Sequence, residues 1–136
     1  MSTKLKEKEE KIRQIITKLV EESAKGKPIV VEGKKDEQAL RILGVNGIIV
    51  TVKTGGKSFL DVTTEIETLG TQEVILLLDF DRRGKEGTLR LQRDMERSKI
   101  KINVQFWREL RALAGREMQC IESVTSYLST LQEKTT

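Results

Sequence analysis

A chain of 136 residues is long enough for one domain with a genuine core and too short for two of ordinary size. Its single cysteine excludes an internal disulfide and the absence of histidine excludes a zinc site of the usual ligand type, so any metal must be held by oxygen. Lysine and arginine exceed aspartate and glutamate by 25 to 21, a basic excess that suits a polyanionic partner without demanding one. No apolar run approaches the roughly 20 residues of a membrane span, which makes the cytoplasm the expected compartment and excludes a membrane role.

Residues 4–22 place Leu5, Ile12, Ile15, Ile16, Leu19 and Val20 at helical spacing between charges, predicting an amphipathic helix. Its stripe can pack on its own domain or pair two copies into a homodimer. The turn AKGKP at 24–28 ends that helix, and the β-branched residues 29–31 predict the first strand. A helix over 36–43 closes at Gly44, a second strand follows over 48–52, and 54–58 reads as a loop. Phe59, Val62, Ile66 and Leu69 carry a helix over 58–69, closed by Gly70.

The unbroken apolar run 74–78 fits a strand covered by helices on both faces, hence the centre of the sheet. Beyond it the pattern predicts a surface helix over 85–97, a fourth strand over 102–106, helices over 107–114 and 121–131, and a frayed end over 133–136. Alternating strands and helices imply parallel pairing through right-handed crossovers, a three-layer α/β/α architecture. The expected organisation is an N-terminal helix over 1–26, a central unit over 27–115, and a C-terminal helix over 116–136 packed on the same domain.

In open parallel sheets the ligand site lies at the carboxyl ends of the strands, where strand order reverses. Strand one runs into Glu32-Gly33-Lys34-Lys35-Asp36 and strand three into Asp79-Phe80-Asp81-Arg82-Arg83-Gly84, which puts both sets on one sheet edge. Strand alternation would aim Asp79 and Asp81 the same way with Phe80 opposite, and two like charges side by side are costly unless a cation neutralises them. With Glu32 on a neighbouring strand, three carboxylates can converge on Mg²⁺, a hard ion that prefers oxygen. The plainer alternative makes the two aspartates turn and helix-capping residues and pairs Glu32 with a lysine.

Two motifs, "VVEGKKDEQAL" at 30–40 and "LLLDFDRRG" at 76–84, together with the intervening "TGG", resemble the Toprim domain shared by DnaG-type primases, topoisomerases and ribosomal RNA maturation nucleases. The resemblance implies a Rossmann-like Toprim fold with a central, mainly parallel four-stranded sheet, Glu32 as the catalytic glutamate, and Asp79 and Asp81 as Mg²⁺ ligands, with Mn²⁺ as a substitute. Arg83 stands where topoisomerase versions carry a third acid, and the Asp-x-Asp-Arg form of residues 79–82 looks closer to primases. With its basic segment WRELR at 107–111, the whole chain is similar to small stand-alone archaeal Toprim proteins.

Lys34, Lys35, Lys57, Arg82, Arg83 and Lys85 lie in loops on the acidic edge and can hold phosphates, while Gly55 and Gly56 would let backbone N–H groups approach an anion. Gly33 and Gly84 are structural members of the two motifs. Residues 56–58 lack the upstream glycine a nucleotide-binding P-loop needs, since position 51 is Thr51. Tyr127 lies in a helix away from the strand ends and leaves no topoisomerase nucleophile, and Cys120 has no histidine to activate it.

Two functions follow as expectations. The first is Mg²⁺-dependent phosphodiester chemistry, nuclease or nucleotidyl transfer, on RNA or DNA. The second is a non-catalytic nucleic-acid-binding or assembly module in a larger RNA-processing or repair complex. A phosphoacceptor of the receiver type fits less well, because its acidic pair should follow the first strand and here it follows the third.

Overall fold

The computed structural model describes residues 3–115 and 117–135. In chain order the elements are α1 (Thr3–Ala24), β1 (Ile29–Val31), α2 (Lys34–Ile42), β2 (Ile49–Thr51), a 3₁₀ turn (Thr54–Gly56), α3 (Phe59–Thr68), β3 (Glu73–Leu76), α4 (Arg82–Arg97), β4 (Lys101–Asn103), α5 (Gln105–Ala114) and α6 (Ile121–Thr135). The four strands form one all-parallel sheet in the order β2-β1-β3-β4. Strand order therefore reverses between β1 and β3, the two strands that carry the acidic motifs.

The central strands β1 and β3 are buried on both faces, and strand alternation divides their side chains. Ile29, Val31, Ile75 and Leu77 face a layer built from α1, α2, α5 and α6, whereas Val30, Val74, Leu76 and Leu78 face α3 and α4. That is why residues 74–78 read as one apolar run. Ile12, Ile15, Ile16 and Leu19 of α1 belong to the first of these cores, so the N-terminal stripe packs on its own domain. Tyr127 packs against the same core with the Lys8 ammonium 5.4 Å from its ring centre.

Several boundaries differ from those read off the sequence, each for a local hydrogen-bonding reason. Helix α4 starts at Arg82 rather than at 85, because the Asp81 side chain accepts from the Gly84 N–H at 2.8 Å and caps it. Helix α2 starts at Lys34 rather than at 36, since Asp36 reaches back to the Gly33 N–H. The expected loop 54–58 holds a 3₁₀ turn, with Ser58 as the cap of α3. Strand β4 ends at Asn103, whose side chain accepts from the Gln105 N–H at 2.9 Å, and Phe106 is in α5 rather than in a strand. Leu77 and Leu78 lie past the end of β3, though Leu77 still donates to the Val30 carbonyl at 2.8 Å. The end expected to fray is helical to Thr135, and Thr136 lies outside the described residues. Among the described residues no helix is long and apolar enough to cross a membrane.

Candidate metal and phosphate site

A cavity of about 510 Å³ opens at the carboxyl edge of the sheet, over the point where strand order reverses, and is lined by Glu32, Lys53, Phe59, Asp79, Asp81, Arg83, Glu86, Arg90 and Arg93 among others. Glu32 arrives on the end of β1 and Asp79 and Asp81 on the segment after β3. The two aspartates line one cavity and Phe80 between them is buried in the core, the arrangement that alternation implies, although 79–81 is not strand.

Three contacts fix that segment from the side of α5 and α6. The Trp107 indole N–H donates to the Asp79 carbonyl at 3.1 Å, the Arg111 guanidinium donates to the Phe80 carbonyl at 3.1 Å, and the Phe80 N–H donates to the Gln119 carbonyl at 2.6 Å. Arg111 also stacks on Trp107, 5.2 Å from its centre. Trp107 and Arg111 of the basic WRELR segment thus hold the acidic loop in place. Gly84 completes the support: a Cβ there would lie 1.8 Å from the Asp79 carbonyl oxygen, so only glycine lets α4 begin so close beneath the acid. Gly33 meets no such limit, with open space where its Cβ would be.

The electrostatics of the pocket favour protons on Asp79 and Glu32. Burial, then the charges of Glu32 and Asp36, push the Asp79 carboxyl up to about 7, with Lys53 opposing and Asp81 adding. Burial also raises Glu32, against the pull of Lys53, whose ammonium lies 3.8 Å away, and of the Asp79 N–H that its carboxylate accepts. Asp81 is exposed, and one of its oxygens is engaged as the cap of α4.

Among the described residues the carboxylates of Glu32, Asp79 and Asp81 do not all fall within 4.8 Å of one another; the set that does is Asp36, Asp79 and Cys120. That tighter set is the poorer cation site. Burial holds the Cys120 thiol above its ordinary range, hence protonated, and the two oxygens of Asp36 accept from the N–H groups of Gly33 and Glu122 at 3.3 and 3.2 Å. Asp36 is a positioning group that ties α2 to the start of α6 and adds its charge to the field on Asp79. Glu32, Asp79 and Asp81 instead present oxygen alone to an open cavity, which suits an ion that takes one or two carboxylates and keeps its waters.

The cations named from the sequence separate into groups. Arg83 lines the cavity. Arg82 is exposed and paired with Glu86 at 3.3 Å, and Lys34, Lys35 and Lys85 are exposed; none of the four lines the cavity. Lys57 is occupied, with Glu65 at 2.8 Å and the Thr51 carbonyl at 3.2 Å. Gly55 and Gly56 sit at φ +76° and +69°, which accounts for glycine at both without an anion. Sequence reading missed Lys53, which follows β2 directly and could have been found from the strand-end rule, and it missed Arg90 and Arg93, seven and ten positions after Arg83 on α4.

Comparison with known proteins agrees with this geometry. Residues 26–106 match the family model of the Toprim domain, which spans the sheet and both acidic motifs. The UPF0292 protein of Methanocaldococcus jannaschii is 36% identical over 121 residues, 88% of this chain and 91% of that one, and the UPF0292 protein of Methanosarcina acetivorans is 34% identical over 126 residues, 93% and 85% of the two chains. A solved structure of a protein from Aquifex aeolicus aligns with a TM-score of 0.68 at 25% identity, covering 80% of this chain and 94% of that one. The chain belongs to the Toprim domain family and, within it, to the UPF0292 proteins found in archaea.

Proposed function

We propose that this protein carries out Mg²⁺-dependent phosphodiester chemistry on RNA or DNA, as a nuclease or nucleotidyl transferase. The observation that supports this reading is the placement of Glu32, Asp79 and Asp81 in one cavity at the strand-order reversal, walled by Lys53, Arg83, Arg90 and Arg93. An all-oxygen carboxylate set beside several cations suits a divalent ion and a phosphate together; neither acids alone nor cations alone would.

Asp79 and Asp81 are the residues that would hold Mg²⁺ or Mn²⁺, and the bound ion would neutralise phosphate oxygens as charge develops on them. The free oxygen of Asp81 and the carboxylate of Asp79 provide the anionic contacts, while Arg83 and Arg93 orient the phosphate from α4. Glu32 handles the proton. Its burial raises it from a glutamate's usual value of about 4.3, which brings it nearer the range in which one carboxyl can both accept and donate near neutral pH. Lys53 opposes that rise.

Glu32→Gln keeps the shape of the side chain and removes its basicity. Incubated with end-labelled RNA and DNA in Mg²⁺ or Mn²⁺, the wild type is expected to give metal-dependent products at a rate about 10²- to 10⁴-fold above the variant. Nucleic-acid binding without products, equal in wild type and Glu32→Gln, would select the non-catalytic module instead.

A further inference from the structure

We propose that the outer face of α4 is a track for the sugar-phosphate backbone of a polynucleotide, so that the substrate reaches the carboxylates as a polymer rather than as a free nucleotide. This rests on the proposed phosphodiester chemistry for its site and on α4 for its new content. Arg83, Arg90, Arg93 and Arg97 follow one another at intervals of seven, three and four, which places them on one helical face over a length of about 21 Å. That is the extent of about six nucleotides at the roughly 3.4 Å per nucleotide of a stacked strand.

The row is continuous with the site. Arg90 and Arg93 line the carboxylate cavity and also a second cavity of about 360 Å³, where Asp94 and Arg97 join them. A nucleotide held at Asp79 cannot also use Arg97; a strand that continues along the helix can. The two acids on the same face are already engaged, Glu86 with Arg82 at 3.3 Å and Asp94 with Arg90 at 3.7 Å. Arg83, Arg93 and Arg97 make no ion pair or side-chain hydrogen bond among the described residues. Arg93 and Arg97, one turn apart, repel each other, Arg83 stands unpaired about 15 Å further along the helix, and a chain of phosphates is the ligand that can pair with all three.

The same face shows how the strand is read. Phe59 is the one aromatic residue lining either cavity, and the Arg90 guanidinium lies 5.8 Å from its ring centre, so no open stacking platform stands along the track. Contacts are to backbone and not to bases. Binding is therefore tolerant of sequence and steeply dependent on salt.

The test is fluorescence anisotropy in EDTA with labelled homopolymer oligonucleotides of increasing length, beside a labelled mononucleotide. Affinity is expected to rise with length up to about six to eight nucleotides and then level. Each arginine engaged on a single strand contributes about 0.7 to the slope of log K against log salt. Arg93→Gln with Arg97→Gln is therefore expected to flatten that slope by about 1.4 and to weaken oligomer binding about 25-fold at 0.1 M salt. The paired control Lys4→Gln with Lys6→Gln, the same charge change on the exposed end of α1, is expected to leave the slope alone. Equal affinity for mononucleotide and oligomer, or an unchanged slope in the α4 variant at wild-type melting temperature, would overturn the track. Length-dependent binding that depends on α4, with no metal-dependent products from the same oligomers, would keep the track and overturn the chemistry.

Discussion

Replacing Asp79 with Asn is expected to make the metal-free protein more stable above pH 7 and to abolish its metal-dependent activity. The folded chain holds the Asp79 proton up to about pH 7, whereas the unfolded chain releases it near 4. Between those values the folded state binds more protons than the unfolded state, so this group's contribution to stability falls as pH rises from about 4 to 7 and is level above. Glu32 is raised as well and adds the same sign. A fully enclosed group with this shift would correspond to about 4 kcal/mol, and the partial solvent exposure of Asp79 reduces that to about 1–2 kcal/mol. Asn copies the protonated acid at every pH. In chelator-treated protein the two melting temperatures are expected to coincide near pH 4 and to separate by about 3–8 °C at pH 8, with the variant higher. A wild type that stays level with the variant across this range would contradict the field assigned to the pocket.

Gly84→Ala is expected to be the most damaging single methyl in the chain. Its Cβ would meet the Asp79 carbonyl oxygen at 1.8 Å and the carbonyl carbon at 2.5 Å, and these are backbone atoms that cannot rotate away. The same oxygen accepts the Trp107 indole, so moving it breaks a second contact. Overpacking of this kind costs about 3 kcal/mol or more, against a domain stability of about 5–15 kcal/mol. Denaturant unfolding should show that loss, and the surviving folded fraction should lose metal affinity because the acidic loop is displaced. Gly33→Ala is the matched control: it adds its methyl to open space at an extended φ of −148° and is expected to change stability by less than about 0.5 kcal/mol.

The two motifs were legible because they use short-range signals. A β-branched or aliphatic run buried on both faces is continuous in sequence, and an acid placed directly after it has to sit at the strand end. The sheet order, with β1 and β3 adjacent, then brought Glu32 to the aspartates. Helix starts were less legible, because α2 and α4 begin where Asp36 and Asp81 fold back on the N–H groups of Gly33 and Gly84, and either aspartate reads equally well as a loop residue. Lys57 shows what spacing alone does not give: it sits beside a glycine pair that resembles an anion loop, and its partner in the fold is Glu65 on the next helix. Arg90 and Arg93 reach the pocket from the middle of α4, and only the packing of that helix on the sheet turns its arginine face toward the acids. The WRELR segment announced its charge but not its partners, the carbonyls of Asp79 and Phe80.

The central claim is that the cavity carboxylates, and not the tighter set containing the thiol, hold a divalent ion. Isothermal titration of the full chain with Mn²⁺ and Mg²⁺ at pH 7.5 tests it most directly, in the wild type, in Asp79→Asn with Asp81→Asn, and in Cys120→Ser. Saturable binding by the wild type and Cys120→Ser, lost in the double aspartate variant, is the predicted result. Binding that survives in the double variant, or that disappears with Cys120→Ser, would contradict it.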